Sequence, residues 1–350
     1  MITTEVKKVK TKRLEMAYRQ MGTPGKPKLL LVHGNMSSSV FYVPLMERLR
    51  EEFDMIAVDL RLFGDTEIAP VDATRGLRDF SDDVDAFVCA IGWESFSMLG
   101  WSMGGGVTMQ YAIDHGDRLE SIMLQNPISP YGLGGCFGPD GQMTDPPGLG
   151  GGAGACNKQM LQAIADKGEN GGREFLGGVY DRLYVEPTFH TDPEDRELYI
   201  DSMLTSKLGD DKFPGNYTVT DLWPGFIAGD KGNYNAMSSK YLNLSALADA
   251  EHKAPILWIR GAADVLVTDT STSDVGYLGK IGRIPGWPGE EVFPPQPMVL
   301  QTRTLFEKYR ENGGYYRETV IPGGHGCMID HPDEFVKAIE DFIPMIEVRQ

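Results

Sequence analysis

The segment Gly100-Trp101-Ser102-Met103-Gly104 constrains the fold of this chain more than any other. It follows an apolar stretch, residues 95–99, and leads into a glycine-rich segment that is typical of a helix start. A strand, a sharp turn and a helix with serine at the apex predict a nucleophile elbow, in which the serine has a strained backbone and an exposed hydroxyl. In a chain with 42 glycines, a Gly-x-Ser-x-Gly pattern can occur by chance. The interpretation as an elbow therefore needs support from the surrounding sequence.

Strands and helices alternate on both sides of this segment. Apolar runs without polar alternation predict strands that are buried on both faces, at residues 29–32, 53–59, 119–125 and 255–259. Helical periodicity is found at residues 41–50, 78–92, 104–115 and 298–312 and near the C-terminus. In 78–92 the apolar residues share one face, and Asp82, Asp83 and Asp85 are expected to face solvent. This alternation predicts a doubly wound, mostly parallel α/β sheet.

The alternation stops after residue 126 and returns only at residue 255. The interval is rich in glycine and proline at first, then helix-like in pieces, then aromatic. Open α/β sheets bind ligands at the carboxyl ends of their strands, and long insertions there are usually functional. We therefore expect residues 127–250 to form a mainly helical and irregular cap, and residues 1–126 and 251–350 to form the core.

Composition limits the partners and the compartment. With 33 Lys and Arg against 50 Asp and Glu, the net charge of −17 argues against nucleic acid or an anionic membrane as a partner. Residues 1–8 contain no apolar run of signal-peptide length, and no run approaches the roughly 18 apolar residues that span a bilayer. These features favour a cytoplasmic protein, and association of identical chains is compatible with them.

The sequence offers little for a metal or a cofactor. The four cysteines lack Cys-x-x-Cys spacing, so buried free thiols are expected, with a Cys136–Cys156 bridge as the minor alternative. No His, Glu or Cys spacing indicates a metal site. The glycine-rich residues 148–153 superficially match a dinucleotide fingerprint, but they follow Pro146-Pro147 rather than a strand, which excludes that interpretation. No cofactor is predicted.

Two further residues make Ser102 a candidate nucleophile. A serine hydroxyl needs a base within hydrogen-bond reach and a third group that orients the base. His325 lies in a glycine-flanked loop after the last predicted strand, and Asp264 follows the strand before it. The carboxyl ends of parallel strands meet at one sheet edge, so the three side chains are predicted to converge there. Asp269 is the alternative acid.

With these residues in place, the sequence resembles the α/β-hydrolase superfamily. The shared motifs are His33-Gly34-Asn35, residues 59–65, the elbow at 100–104, residues 261–264, and Gly324-His325 with residues 331–335. The resemblance implies Ser102 as nucleophile, His325 as base and Asp264 as the orienting acid. It also implies an oxyanion hole made by the backbone N–H groups of Asn35 and Met103, with His33 bracing the loop.

Two departures from family branches are informative. In one branch, which includes lactonases of the zearalenone-cleaving type, the acid comes from the position of Asn126, an amide here. The dehalogenase branch shares His-Gly-Asn but has Asp at the elbow, and Ser102 excludes that chemistry. Four apolar residues are predicted to bind substrate: Met36, Trp101 and Phe41, near these motifs, and Trp223 in the predicted cap.

These features predict a metal-free serine hydrolase that cleaves a carboxylic ester or lactone through an acyl-enzyme. The length of the cap favours a bulky, largely apolar substrate. Three alternatives stay open on the same fold: a hydrolase of C–C bonds, a haloperoxidase- or perhydrolase-like enzyme, and a ligand receptor without turnover.

Overall fold

A single large sheet crosses the computed structural model, which describes residues 4–343. The strands in chain order are β1 (Lys7–Lys10), β2 (Glu15–Gly22), β3 (Lys28–Val32), β4 (Asp54–Val58), β5 (Phe96–Trp101), β6 (Leu119–Gln125), β7 (Cys136–Phe137), β8 (Gln142–Met143), β9 (Leu208–Gly209), β10 (Phe213–Pro214), β11 (Tyr217–Val219), β12 (Phe226–Ala228), β13 (Ile256–Gly261) and β14 (Tyr316–Ile321).

The helices lie between and beside these strands. They are α1 (Val43–Leu49), α2 (Arg78–Ile91), α3 (Met103–His115), α4 (Lys158–Ala165), α5 (Gly172–Leu183), α6 (Pro193–Leu204), α7 (Asn233–Ala236), α8 (Val275–Lys280), α9 (Met298–Glu311), α10 (Cys327–Asp330) and α11 (Pro332–Glu340). Short 3₁₀ turns occur at Ser39–Tyr42, Ala73–Arg75, Gly116–Arg118, Gly152–Ala155 and Ser245–Asp249.

The main sheet has the strand order β1-β2-β4-β3-β5-β6-β13-β14. Strand β2 pairs antiparallel with β1 and β4, and the other neighbours pair in parallel. The apolar runs in β3, β4 and β6 are buried, as expected for strands covered on both faces. The prediction of a doubly wound, mostly parallel α/β sheet is confirmed, and the parallel strands end at one common edge.

Helices cover both faces of the sheet. Helices α2, α3 and α9 pack on one face, with Phe80, Val107 and Phe306 in a continuous apolar cluster. Helices α1 and α11 pack on the other face, where Met46 and Ile339 belong to a second cluster. That second cluster continues into α4, α5 and α6, so the helices between β6 and β13 share apolar contacts with the sheet.

The segment between β6 and β13 contains helices α4 to α7 and three pairs of very short strands. It is thus partly helical and partly irregular. The division of the chain into a core and a cap at residues 126 and 251 stays a prediction.

The acidic residues of α2 correct one expectation. Asp83 is fully buried and Asp85 is 8% exposed, whereas both were expected to face solvent. Arg61, itself buried, donates from Nε and Nη2 to the Asp83 carboxylate at 2.5 and 2.8 Å. Arg13, from the turn between β1 and β2, donates to the same carboxylate at 2.6 Å. The helical pattern of α2 does not reveal that arginines from distant loops cover its polar face. Asp82, the third of these residues, remains partly exposed.

Two other sequence inferences can be compared with the structure. All four cysteines are free; Cys136, Cys156 and Cys327 are buried, but Cys89 is exposed, which corrects the expectation for that residue. Burial raises the pKa of both Cys136 and Cys156 to about 12. Within residues 4–343, no helix combines the length and apolar character needed to cross a membrane.

We predict that Asp83→Asn lowers the free energy of unfolding by about 3–5 kcal/mol, because it leaves the Arg61 charge buried with an incomplete partner. Urea denaturation measures the loss. Asp333→Asn is the matched control, since it breaks another Arg–Asp pair, Arg48–Asp333 at 2.6 Å, whose aspartate is 84% exposed. The control should lose at most about 1 kcal/mol, and equal losses would contradict the prediction.

Candidate active site

Ser102 lies at the turn between β5 and α3. Its backbone angles, φ 55° and ψ −119°, place it in a region that residues with a Cβ rarely adopt. The two glycines of the motif permit this turn: a Cβ on Gly100 would lie 2.3 Å from the Gly104 carbonyl oxygen, and one on Gly104 would lie 2.1 Å from the Val32 oxygen. The elbow conformation predicted from the motif is therefore present.

The backbone of Ser102 is anchored on both sides. Its N–H donates to the Gln125 carbonyl at 3.0 Å, and its own carbonyl accepts from the N–H groups of Gly105 and Ile128, each at 3.0 Å. These bonds hold the strained residue in place.

Asp264 and His325 form a buried pair at the same sheet edge. Asp264 follows β13, His325 follows β14, and their exposures are 7% and 3%. The Nδ1 atom of His325 lies 3.0 Å from Asp264 Oδ2. Asp264 Oδ1 accepts from the backbone N–H groups of Leu266 and Val267 at 2.8 and 3.2 Å. With the proton on Nδ1, the neutral imidazole has Nε2 available as a base.

Asp269, the alternative acid, has a different role. Its Oδ1 accepts from the N–H groups of Val299 and Leu300 at 2.8 and 3.2 Å, at the start of α9. It is therefore a helix-capping residue, and Asp264 is the aspartate that contacts His325.

Asn126 joins the strand that carries Asp264 to the loop that carries His325. Its Oδ1 accepts from the Gly261 N–H at 2.9 Å, and its Nδ2 donates to the carbonyls of His325 and Gly324 at 2.7 and 3.1 Å. The His325 carbonyl also accepts from Trp101 Nε1 at 2.9 Å. The amide thus supplies a donor and an acceptor, which an ionised carboxylate at this position would not.

Ser102 and His325 line the same cavity. Among the hydrogen bonds of residues 4–343, none joins the Ser102 hydroxyl to the imidazole. Such bonds are often long or poorly aligned in the absence of substrate. The structure therefore places Ser102 and His325 in one cavity without a formed hydrogen bond between them.

His33 orients the loop that carries Asn35. Its Nε2 accepts from the Leu60 N–H at 3.0 Å, so the proton is on Nδ1, which donates to the Gly34 carbonyl at 2.7 Å. Burial lowers the pKa of His33 from 6.5 to about 4, although the Asp59 carboxylate acts in the opposite direction. Because the Gly34 carbonyl and the Asn35 N–H belong to one planar peptide unit, the bond to His33 also sets the direction of that N–H.

The two N–H groups expected in an oxyanion hole are free to donate. Met103 is the first residue of α3, where an N–H has no partner within the helix. No hydrogen bond described for residues 4–343 has the N–H of Met103 or of Asn35 as its donor. Asn35 lines the same cavity as Ser102.

The cavity has a volume of about 460 Å³ and mostly apolar walls. The predicted residues Met36 and Trp101 line it. Further lining residues come from the segment between β6 and β13, and others from the loop after Asp264: Met160, Tyr184, Tyr234, Val267, Leu278 and Ile284. The residues that line it include no Asp, Glu, Lys or Arg. Sequence reasoning missed the residues after Asp264, although their place at the carboxyl edge of a strand was a usable signal.

Phe41 and Trp223, which were also predicted to bind substrate, do not line this cavity. Phe41 is buried behind the wall, where its ring stacks on Tyr199 at a centroid distance of 4.4 Å. The Trp223 indole packs on Phe293 at 4.9 Å and donates to the Pro285 carbonyl at 3.0 Å. Both aromatic residues support the walls through packing.

Comparison with known proteins supports the fold assignment. The family model described as the alpha/beta hydrolase fold matches residues 27–141, which contain the Asn35 loop and the elbow. A thermophilic esterase from Thermogutta terrifontis superposes with a TM-score of 0.58 and 19% identity, covering 98% of this chain and 99% of that one. The chain therefore has the α/β-hydrolase fold. An enol-lactonase from Burkholderia xenovorans superposes on this chain with a TM-score of 0.57 and 17% identity, covering 97% of this chain and 100% of that one.

Curated relatives match this chain over a shorter region. An uncharacterised hydrolase of Saccharomyces cerevisiae is 30% identical over 109 residues, 31% of this chain and 37% of that protein. Haloalkane dehalogenase 2 of Mycobacterium tuberculosis is 29% identical over 100 residues, 29% of this chain and 35% of that protein. The chain thus spans about a third of the length of these relatives. In the described part of the chain, no group of three or more His, Cys, Asp and Glu side chains is placed to hold a metal.

We predict that His33 makes the fold less stable in mild acid. Its folded pKa of about 4 lies below the ordinary 6.5, so the unfolded chain binds the proton more readily, and stability falls as the pH drops from 6.5 towards 4. Between pH 7.5 and 5.0 this one group should contribute a loss of about 2 kcal/mol. Urea denaturation at both pH values, with His33→Gln as the control, isolates the contribution; an equal pH dependence in both proteins would contradict it.

Proposed function

We propose that this α/β-hydrolase cleaves a carboxylic ester or lactone by a serine mechanism. The observation that carries the proposal is that one cavity is lined by both Ser102, at the elbow, and His325, which is paired with Asp264 at 3.0 Å. Two backbone N–H groups without a partner, those of Asn35 and Met103, lie beside the elbow. These are the components that acyl transfer requires: a nucleophile, an oriented base and donors for the oxyanion.

In this mechanism the Ser102 hydroxyl turns towards His325 Nε2 and attacks the substrate carbonyl while the imidazole takes its proton. Asp264 keeps the proton on Nδ1 and stabilises the imidazolium that forms. The N–H groups of Asn35 and Met103 donate to the oxygen that becomes negative. His325 then protonates the leaving alcohol, and water, activated by the same imidazole, releases the acyl group from Ser102.

The known proteins support ester or lactone chemistry only indirectly. The structural neighbours include an esterase and an enol-lactonase, but their identities of 19% and 17% carry the fold rather than the activity. The curated relatives include a dehalogenase. The serine at the elbow favours attack on a carbonyl, because its acyl-enzyme is an ordinary ester that water can hydrolyse.

We also propose that residues 127–250 act as a cap and that the substrate is bulky and uncharged. Residues of this segment, such as Met160, Tyr184 and Met237, line the cavity. A volume of about 460 Å³ accommodates a substrate much larger than an acetyl ester. Because the lining offers no charged partner, an ionised substrate group would be buried without compensation.

The proposal is tested with p-nitrophenyl esters and four proteins. We expect the wild type to turn over repeatedly and Ser102→Ala to lose turnover. Asp264→Asn should lower kcat about 10³- to 10⁴-fold, because it destabilises the reactive tautomer and the imidazolium. Asp269→Asn, the matched control, should keep the wild-type kcat.

Two results would contradict the proposal. Fluorophosphonate labelling at a residue other than Ser102, followed by mass spectrometry, would show a different nucleophile. A single slow burst without further turnover on any ester or lactone would instead indicate a ligand receptor on the same scaffold.

For the charge of the substrate, we predict that p-nitrophenyl hexanoate is hydrolysed with a kcat/KM at least about 100-fold higher than the p-nitrophenyl monoester of adipate. The two acyl chains have equal length, and the second ends in a carboxylate whose burial without a partner costs several kcal/mol. Leu278→Arg, which adds a positive charge to the cavity wall, should narrow the difference. Equal rates for both esters in the wild type would exclude an uncharged specificity.

A further inference from the structure

The loop that carries Asn35 is held from a second side, by residues far away in the sequence. The Tyr184 hydroxyl, at the end of α5, donates to the carbonyls of Asn35 and Met36 at 3.2 and 3.4 Å. Asn233, the first residue of α7, donates from Nδ2 to Asn35 Oδ1 at 2.7 Å and lies 3.9 Å from Met103 Sδ. Both residues belong to the segment between β6 and β13.

These bonds fix a peptide unit that the core does not. The bond from His33 to Gly34 orients the peptide that contains the Asn35 N–H. The next peptide contains the Asn35 carbonyl, and the Tyr184 hydroxyl is the donor that reaches it. Fixing both planes around Asn35 restricts its φ and ψ, and therefore the direction in which its N–H points.

Tyr184 also contacts the loop that carries His325. Its carbonyl accepts from the Gly326 N–H at 2.5 Å. Its ring packs edge-on against Trp101 at 5.5 Å and against the His325 imidazole at 6.3 Å. Two residues further on, the Glu186 N–H donates to Asp330 Oδ2 at 2.7 Å, and the same oxygen accepts from the Gly324 N–H at 2.7 Å.

The donors are well suited to this role. Tyr184 is 6% exposed and Asn233 is fully buried, so water does not compete for their bonds. Burial raises the pKa of Tyr184, which keeps its hydroxyl protonated and able to donate to a carbonyl.

We propose that Tyr184 and Asn233 are positioning residues that set the oxyanion loop, so that the segment between β6 and β13 completes the catalytic geometry in addition to covering the cavity. This inference rests on the proposed serine mechanism. It implies that the two residues act on the transition state more than on substrate binding, because the donor they position meets full negative charge only there.

The test compares Tyr184→Phe with Tyr180→Phe. The first removes only the hydroxyl that holds the Asn35 and Met36 carbonyls and keeps the ring contacts. The second, one helical turn earlier in α5, removes a buried hydroxyl of the same kind that bonds to Thr191 Oγ1 at 2.8 Å. We expect Tyr184→Phe to lower kcat for a p-nitrophenyl ester about tenfold with KM within twofold of wild type, and Tyr180→Phe to leave kcat unchanged.

A second measurement does not depend on the choice of ester. The rate constant for fluorophosphonate labelling of Ser102 should fall about tenfold in Tyr184→Phe, because phosphonylation also places negative charge on the oxygen in the oxyanion hole. Equal labelling rates in the two Tyr→Phe variants would overturn the inference. Failure of the wild type to label at Ser102 would instead overturn the proposed serine mechanism.

Asn233 is tested by a double-mutant cycle with Asn35. Asn35→Ala keeps the backbone N–H but removes the acceptor of the Asn233 bond, and Asn233→Ala removes the donor. If the bond acts by positioning the loop, each single variant should lower kcat by a similar factor, and the double variant should be no slower than either. Independent, multiplying effects would contradict a shared role.

Discussion

The position of the His325 carbonyl is the constraint on which the candidate site depends. This one oxygen accepts from Trp101 Nε1 at 2.9 Å and from Asn126 Nδ2 at 2.7 Å, and Gln125 Nε2 lies at 3.4 Å. The donors stand at the carboxyl ends of β5 and β6, directly beside the elbow. The backbone of the base is thereby tied to the strands that carry the nucleophile, although the two residues are more than 200 positions apart in the chain.

The hydrogen bonds of Asn126 explain why this chain has an amide at the position from which one branch of the superfamily takes its acid. Its Oδ1 receives the Gly261 N–H, and its Nδ2 must donate to two carbonyls. An ionised aspartate offers only acceptors and would repel both carbonyl oxygens. Because this position holds the loop in place, the proposed acid is Asp264, which follows the next strand and lies 3.0 Å from His325 Nδ1.

The sequence revealed the parts of the structure that local patterns determine. The buried runs of β3 and β4 and the glycines around Ser102 specify their conformations within a few residues, and the motif order placed Asp264 and His325 at one edge. The burial of Asp83 could not be read from α2, because Arg13 and Arg61 come from separate loops. Helical periodicity reports which face is apolar, whereas tertiary contacts decide whether the polar face meets water.

The residues that line the cavity were harder to predict for a similar reason. Phe41 and Trp223 are large aromatic residues of the kind that often line pockets. Their rings pack instead against Tyr199 and Phe293, and only the tertiary structure shows these contacts. Tyr184 belongs to no recognisable motif and lies 148 positions from Met36 in the sequence. Only the fold brings it to the loop that carries Asn35.

The polar groups around the elbow differ in whether they have a hydrogen-bond partner. The N–H and carbonyl of Ser102, the Gly34 carbonyl and both oxygens of Asp264 all have partners. Four groups beside the elbow have no partner among the hydrogen bonds of the described residues: the Ser102 hydroxyl, His325 Nε2 and the N–H groups of Asn35 and Met103. The buried side-chain oxygens Gln125 Oε1 and Asn233 Oδ1 have none either. Buried polar groups are otherwise almost always paired, because an unpaired one costs free energy. In the proposed mechanism, the substrate carbonyl and its developing oxyanion become the partners of the four groups beside the elbow.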